Sequence, residues 1–202
     1  MITTLFLDIG GVLLTNGWGK EQRAKAAVHF KLDINELNER HHLTFDTYEE
    51  GKLTLSEYLK RVIFYEDRRF SEDDFIKVMF KQSLAYQNTI DFFKELKIRN
   101  NLKVIAVSNE GRELNAYRIK KFKLNELFDA FVSSSYVHLR KPDADIFRMA
   151  SDISQTKPEN SLYLDDRLMF VEIAQTLGMC GIHYQGLDIL KKQLKMFNFA
   201  IE

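Results

Sequence analysis

The sequence predicts an α/β protein in which a doubly wound parallel sheet is interrupted, after its first strand, by an all-helical block. Short apolar runs that each end in small or acidic residues recur along the chain, and helical periodicity fills the stretches between them. The segment from Asn16 to Tyr86, by contrast, carries helical patterns and no convincing strand.

Taken in chain order, Thr4 to Leu7 is short and apolar and is followed by Asp8-Ile9-Gly10-Gly11, so it reads as a buried strand ending in a tight loop. Four helical patterns follow, at Glu21 to Phe30, Ile34 to Glu49, Ser56 to Tyr65 and Glu72 to Ala85. Gly51 suits the position just past a helix end, and Thr54 or Ser56 suits an N-cap. Ser71 with Asp74 three residues on reads as a weaker relative of the capping box. Beyond the block come strands at Leu102 to Val107, Ala130 to Val132, Leu162 to Leu164 and, more weakly, Cys180 to Tyr184. Helical runs at Ile90 to Ile98, Leu114 to Phe122, Ala144 to Ile153 and Val171 to Leu177 lie between them. The expected organisation is a core of residues 1–15 and 87–202 carrying a helical cap of residues 16–86. Asn16-Gly17-Trp18-Gly19 reads as a hinge, with a second joint near Gln87-Asn88.

The 202 residues fit one such core plus a smaller insertion. Twenty-nine basic residues balance 29 acidic ones, which argues against nucleic acid or a membrane surface as partner. Cys180 is the lone cysteine, which excludes an internal disulfide and fits a reducing cytoplasm. The first eight residues lack a basic region and do not read as a signal peptide, and no run approaches the ~18 apolar residues of a membrane helix. A cytoplasmic monomer or homodimer is the expectation.

Asp8, Ser108 and the Asp165-Asp166 pair all fall at predicted strand ends, where ligands bind in open α/β sheets. Each has a plain alternative. Asp before two glycines forms turns, Ser108-Asn109 could cap a helix, Lys141-Pro142-Asp143 could begin one, and paired acids suit a helix N-terminus.

The four blocks Leu5-Phe6-Leu7-Asp8-Ile9-Gly10-Gly11-Val12-Leu13, Val104-Ile105-Ala106-Val107-Ser108-Asn109, Lys141-Pro142-Asp143 and Tyr163-Leu164-Asp165-Asp166 occur in one order. In that order they resemble the haloacid dehalogenase-like hydrolases. With the helical insertion after the first block, the resemblance covers nearly the whole chain. Its cap type is similar to that of the phosphatase domain of soluble epoxide hydrolases and of bacterial sugar-phosphate phosphatases. The resemblance implies a phosphatase acting on a small phosphorylated metabolite. Asp8 would be the nucleophile, and Ser108, Asn109 and Lys141 would bind the phosphoryl group. Mg²⁺ would be held by Asp8, the Gly10 carbonyl and Asp166, with Asp165 in its outer shell. The chemistry is coherent, because a carboxylate attacking a phosphate dianion needs compensating positive charge, and Mg²⁺ favours oxygen ligands.

Two departures stand out. Gly10 replaces the second Asp of the phosphatase pattern, which protonates the leaving group and then activates water. Met169 and Phe170 lie where many relatives place Asn or Asp. A weakly active or inactive binding protein is therefore the alternative reading, and a haloacid dehalogenase is the third. Glu110, His41 and His42 are weighed as stand-ins for the missing acid but read as solvated residues. Trp18, Phe45 and Tyr48 read as cap core rather than pocket wall.

Overall fold

The computed structural model describes residues 1–201. Strand β1 (Thr4–Leu7) leads into five helices, α1 (Lys20–Phe30), α2 (Ile34–His42), α3 (Phe45–Glu49), α4 (Leu55–Val62) and α5 (Glu72–Lys81). Then follow α6 (Gln87–Asn100), β2 (Lys103–Ser108), α7 (Arg112–Lys121), β3 (Ala130–Ser133), α8 (Ser134–Val137) and α9 (Ala144–Ser154). The chain closes with β4 (Ser161–Asp165), α10 (Leu168–Thr176), β5 (Cys180–His183) and α11 (Leu187–Leu194).

The strands form one parallel sheet in the order β3-β2-β1-β4-β5, the doubly wound arrangement expected. Alternation along each strand divides the sheet's side chains between two layers. Leu5, Leu7, Val104, Ala106, Leu162 and Leu164 pack with Ile90, Phe93 and Leu96 of α6 and with Leu190 and Leu194 of α11. Phe6, Ile105, Val107 and Tyr163 face the other way, onto Ile146, Phe147 and Ala150 of α9 and Val171 and Ala174 of α10. β1 sits between β2 and β4, so its last residues and theirs end side by side.

The helices between β1 and β2 have an apolar cluster of their own, built on Ala26, Leu37, Tyr58, Leu59, Phe75 and Met79. Leu114 and Tyr117 of α7 join it from the sheet side. Thr54 and Ser71 each complete a capping box, with Glu57 and Asp74 respectively. Gly51 follows α3 at φ 71°, as its place past a helix end requires.

Three expectations about this block are corrected. The helix expected over Ile34 to Glu49 breaks at Leu43-Thr44, where the Thr44 hydroxyl donates to the Arg40 carbonyl and competes with the helical ladder. The last helix stops at Lys81 rather than Ala85, because the chain is drawn out beside the segment after β1. Thr15 N–H donates to Leu84 O at 2.9 Å, Tyr86 N–H to Leu13 O at 2.8 Å, and Leu14 and Ala85 form an antiparallel bridge. Gln87, near which a second joint was expected, is already the first residue of α6, so the connection between α5 and α6 ends at Tyr86.

Among the described residues, no helix is long and apolar enough to cross a membrane.

Candidate active site

Parallel pairing carries the ends of β1, β2 and β4 to one edge of the sheet, and with them Asp8, Ser108 and Asp165. Asp8 is 8% exposed, and its N–H donates to Leu164 O at 2.9 Å, which ties the start of the loop to β4. Gly11 turns that loop at φ 76°, and a Cβ there would collide with the Asp166 carboxylate, so only glycine fits.

Lys141 is the centre of the charge arrangement. Its side chain is 1% exposed, and Nζ donates to Asp8 Oδ1 at 2.9 Å and to Asp165 Oδ2 at 2.7 Å. Asp165 Oδ2 also accepts from the Tyr163 hydroxyl, while Oδ1 accepts from Arg167 N–H at 2.8 Å. Both Asp165 oxygens are thus engaged, and this carboxylate holds Lys141 rather than facing open space. One oxygen from each of Asp8, Asp165 and Asp166 falls within 4.8 Å of the others. With Asp165 committed, Asp8, Asp166 and the neighbouring loop carbonyls are the donors left for a hard cation.

Burial raises the pKa of Asp8, Lys141 lowers it, and Asp165 and Asp166 raise it again, for a net value of about 7. Burial also works against the Lys141 ammonium, but Asp8 and Asp165 outweigh it and keep its pKa above the ordinary lysine value. Three acids around one ammonium leave an excess of negative charge, which suits a cation.

The Asn109 amide clamps the Lys141 backbone from both sides. Nδ2 donates to Lys141 O at 2.7 Å, and Oδ1 accepts from Lys141 N–H at 2.8 Å. The Asn109 side chain is therefore spent on positioning the lysine, while the expectation for the ligand rested on backbone N–H groups after Ser108. Glu110 N–H donates to Ser134 Oγ at 3.0 Å, so it too is unavailable to a ligand. Ser108 is 2% exposed and lines the cavity described next.

A cavity of about 360 Å³ opens over these strand ends and reaches into the helical block. Asp8, Gly10, Ser108 and Lys141 form its floor, and Trp18, His41, Phe45 and Tyr48 form its aromatic wall. Larger hollows of about 580 and 620 Å³ lie beside Tyr184 and Met179, but neither has the carboxylate–lysine cluster on its walls. Tyr48 and Trp18 belong to the apolar cluster of the helical block, as expected, and with Phe45 they also border this cavity.

Glu110, expected to be solvated, is 5% exposed and ion-paired through Oε1 with Nη1 of Arg118, which is 1% exposed. Burial raises the Glu110 pKa against the pull of Arg118. Arg118 Nη2 also donates to Thr15 O at 2.7 Å. The backbone at Gly17 lies directly on this pair, and a Cβ there would meet Arg118 Nη1 at 2.6 Å and Leu114 Cδ2 at 2.9 Å. Gly17 is outside the positive-φ region, so close approach explains this glycine, where the sequence suggested hinge freedom.

His41 is held neutral. Trp18 Nε1 donates to the Tyr58 hydroxyl at 2.8 Å, and the fully buried Tyr58 hydroxyl is hydrogen-bonded to His41 Nδ1 at 2.7 Å. Burial, with help from Arg23 and His42, drives the His41 pKa down to about 3. A neutral imidazole can donate a hydrogen bond but does not supply a strong acid.

A family profile described as "Haloacid dehalogenase-like hydrolase" matches residues 29–182. A drimenol cyclase of Aspergillus calidoustus is 26% identical over 197 residues, covering 96% of this chain and 36% of that protein. A phosphorylated carbohydrates phosphatase of Thermotoga maritima is 26% identical over 134 residues, 66% of this chain and 57% of its own. The chain thus spans between about a third and somewhat over half of these curated relatives. An enzyme of the same family from Bacteroides thetaiotaomicron, solved with magnesium and inorganic phosphate, matches in fold with a TM-score of 0.76. It is 21% identical, with 90% of this chain and 93% of that one covered.

Proposed function

Because this chain belongs to the haloacid dehalogenase-like hydrolase family, we propose that it is a Mg²⁺-dependent phosphatase of a small phosphorylated metabolite, working in the cytoplasm through an aspartyl phosphate on Asp8. The observation that carries this reading is the buried Asp8–Lys141–Asp165 cluster at the floor of a 360 Å³ cavity, with Asp166 within cation-binding reach. The relatives that bind magnesium and phosphate or dephosphorylate carbohydrates support it. Residues 16–86 are the cap in this reading, and residues 1–15 with 87–202 are the core.

The residues divide the work by their contacts. Lys141 neutralises negative charge where the phosphoryl group meets Asp8, and Asp165 and Asn109 fix that ammonium in place. Ser108 donates to a phosphoryl oxygen. Mg²⁺ held by Asp8, Asp166 and the Gly10 carbonyl would offset phosphoryl charge and draw the attacking carboxylate into line. An Asp8 oxygen forms a bond to phosphorus as the ester P–O bond breaks, and the leaving oxygen keeps the bonding pair. Water then attacks the same phosphorus and returns Asp8 as a carboxylate. No carboxyl stands at position 10, so the leaving oxygen takes its proton from solvent.

A second reading, a binding protein with little turnover, is favoured by Gly10 and by Phe170, whose ring lies 5.2 Å from Lys141 Nζ where a polar residue is usual. One experiment separates the two. Sugar phosphates, phosphorylated acids and aryl and prenyl phosphates are assayed for phosphate release with and without Mg²⁺, with Asp8→Asn as control. Release that requires both Mg²⁺ and Asp8 supports the phosphatase. Saturable binding without release supports the second reading.

A further inference from the structure

The cavity walls carry more positive charge than a single phosphoryl group needs. Six cations line it (Lys20, Arg23, Arg118, Arg140, Lys141 and Arg167) against the three acids Asp8, Glu49 and Glu110. Lys141 is committed to Asp8 and Asp165, Arg118 to Glu110, and Arg140 to Asp46 and Glu49. Among the described residues, Lys20, Arg23 and Arg167 have no carboxylate within ion-pair distance. Lys20 and Arg23 lie on the wall away from the catalytic carboxylates, whereas Arg167 directly follows Asp166 and its N–H donates to Asp165 Oδ1. Lys20 and Arg23 belong to α1, and Arg167 is the residue just before α10.

Arg23 is held ready for a ligand. Its Nε donates to Asn38 Oδ1 and its Nη1 to Trp18 O, both at 2.8 Å, which leaves Nη2 free on a fixed guanidinium. Lys20 is the first residue of α1, an 11-residue helix whose N-terminus has no side-chain cap. Its first-turn N–H groups and the positive end of the helix dipole therefore add to the charge beside Gly19 and Lys20, which both line the cavity. Arg167 reaches the same space from the sheet side, with its guanidinium 5.5 Å from the centre of the Phe170 ring. Glu49, an acid on this wall, already shares its charge with Arg140. On this wall Lys20, Arg23, Arg140 and Arg167 thus stand against two carboxylates, Glu49 and Asp46, both of which are paired with Arg140.

We propose that Lys20, Arg23 and Arg167 form a subsite for a second anionic group, so that the preferred substrate is a phosphate ester carrying a carboxylate or a further phosphate at its far end. This rests on the phosphatase reading of Asp8 and names the substrate class for it. The ester's phosphoryl group takes the floor at Asp8 and Lys141, its body runs along Trp18, Phe45 and Tyr48, and the second anion lies between α1 and Arg167. Such a ligand contacts the helical block and the sheet at once.

The test compares esters matched in their phosphoryl end. The carboxylate arm is 3-phosphoglycerate against glycerol 3-phosphate, and the phosphate arm is glucose 1,6-bisphosphate against glucose 6-phosphate. The proposal predicts that kcat/KM favours the doubly anionic ester in at least one arm. It also predicts that the preference falls about tenfold in Lys20→Gln/Arg167→Gln, both exposed positions whose loss leaves no buried charge unpaired. A merely structural effect lowers both esters together and leaves their ratio unchanged, which would overturn the proposal, as would equal kcat/KM within both arms. Calorimetric binding to Asp8→Asn reads recognition without turnover. If the full chain hydrolyses nothing yet Asp8→Asn binds the doubly anionic ester more tightly, and the double variant loses that difference, the subsite stands and the phosphatase reading falls.

Discussion

The side chain of Asn16 occupies the space into which a side chain at position 10 would project, for a Cβ built on Gly10 would stand 3.1 Å from Asn16 Oδ1. Gly10 itself lies outside the positive-φ region, so its backbone tolerates other residues. Wild-type turnover is expected to favour good leaving groups, aryl and acyl phosphates over alkyl phosphates. Gly10→Asp requires the end of the exposed Asn16 side chain to shift slightly, Gly10→Asp/Asn16→Ala removes that contact, and the double variant is expected to raise alkyl phosphate turnover about 10²-fold. Turnover plotted against leaving-group pKa checks this. A flat, fast wild-type profile would mean that another acid already serves.

Lys141→Met is expected to cost about 3–5 kcal/mol of stability at neutral pH, because it leaves Asp8 and Asp165 facing each other buried and unpaired. Urea unfolding measures it. The loss should shrink in mild acid as the stranded carboxyls protonate, and a loss under 1 kcal/mol at neutral pH would contradict the central role given to this ammonium.

Magnesium at a hundredfold excess over its dissociation constant is expected to stabilise the fold by about 2.7 kcal/mol. A rise in melting temperature on adding Mg²⁺, reversed by chelator and reduced in Asp166→Asn, is the expected result. Unchanged melting at millimolar Mg²⁺ would exclude the Asp8–Asp166 cation site.

His41 gives a pH dependence of defined sign. The unfolded chain protonates this imidazole near 6.5, while the folded chain resists until about 3. The unfolded state therefore binds the extra proton between those values, and stability falls as pH drops through that window. The slope from this residue is about 1.4 kcal/mol per pH unit. His41→Asn should flatten the stability profile between pH 6 and 4 relative to the wild type. An identical slope in the variant would show that His41 titrates freely.

The sheet and the floor of the site were legible because their signal is local. Each apolar run that ends in Asp8, Ser108 or Asp165 is a buried strand delivering a polar residue to its carboxyl end. The walls were not legible, because they depend on contacts between distant segments. Glu110 and Arg118 look like solvated charges until the burial of both beneath Gly17 is seen. The sequence of α7 gives little warning, since polar Asn115 and Arg118 share its buried face with Leu114. Periodicity places Phe45 and Tyr48 on a continuous helix, and the Thr44 hydroxyl that breaks it is a choice of hydrogen-bond partner that hydrophobic periodicity does not register. Asn109 illustrates the same limit at the floor: its place was foreseen, but its attachment to Lys141, 32 residues away, was not.

The paired segments at Leu13 to Thr15 and Leu84 to Tyr86 mean that the chain leaves the sheet layer and rejoins it at adjacent points. The sheet layer therefore treats everything between them as a single long loop, whose closure entropy changes slowly with its length. Helical blocks of different size, or a tight turn in their place, can be spliced at that point while Asp8, Lys141 and Asp165 keep their scaffold. New substrate ranges are then open to recombination as well as to point substitution, and a chimera carrying a foreign helical block between residues 15 and 84 is the natural starting point for redesign.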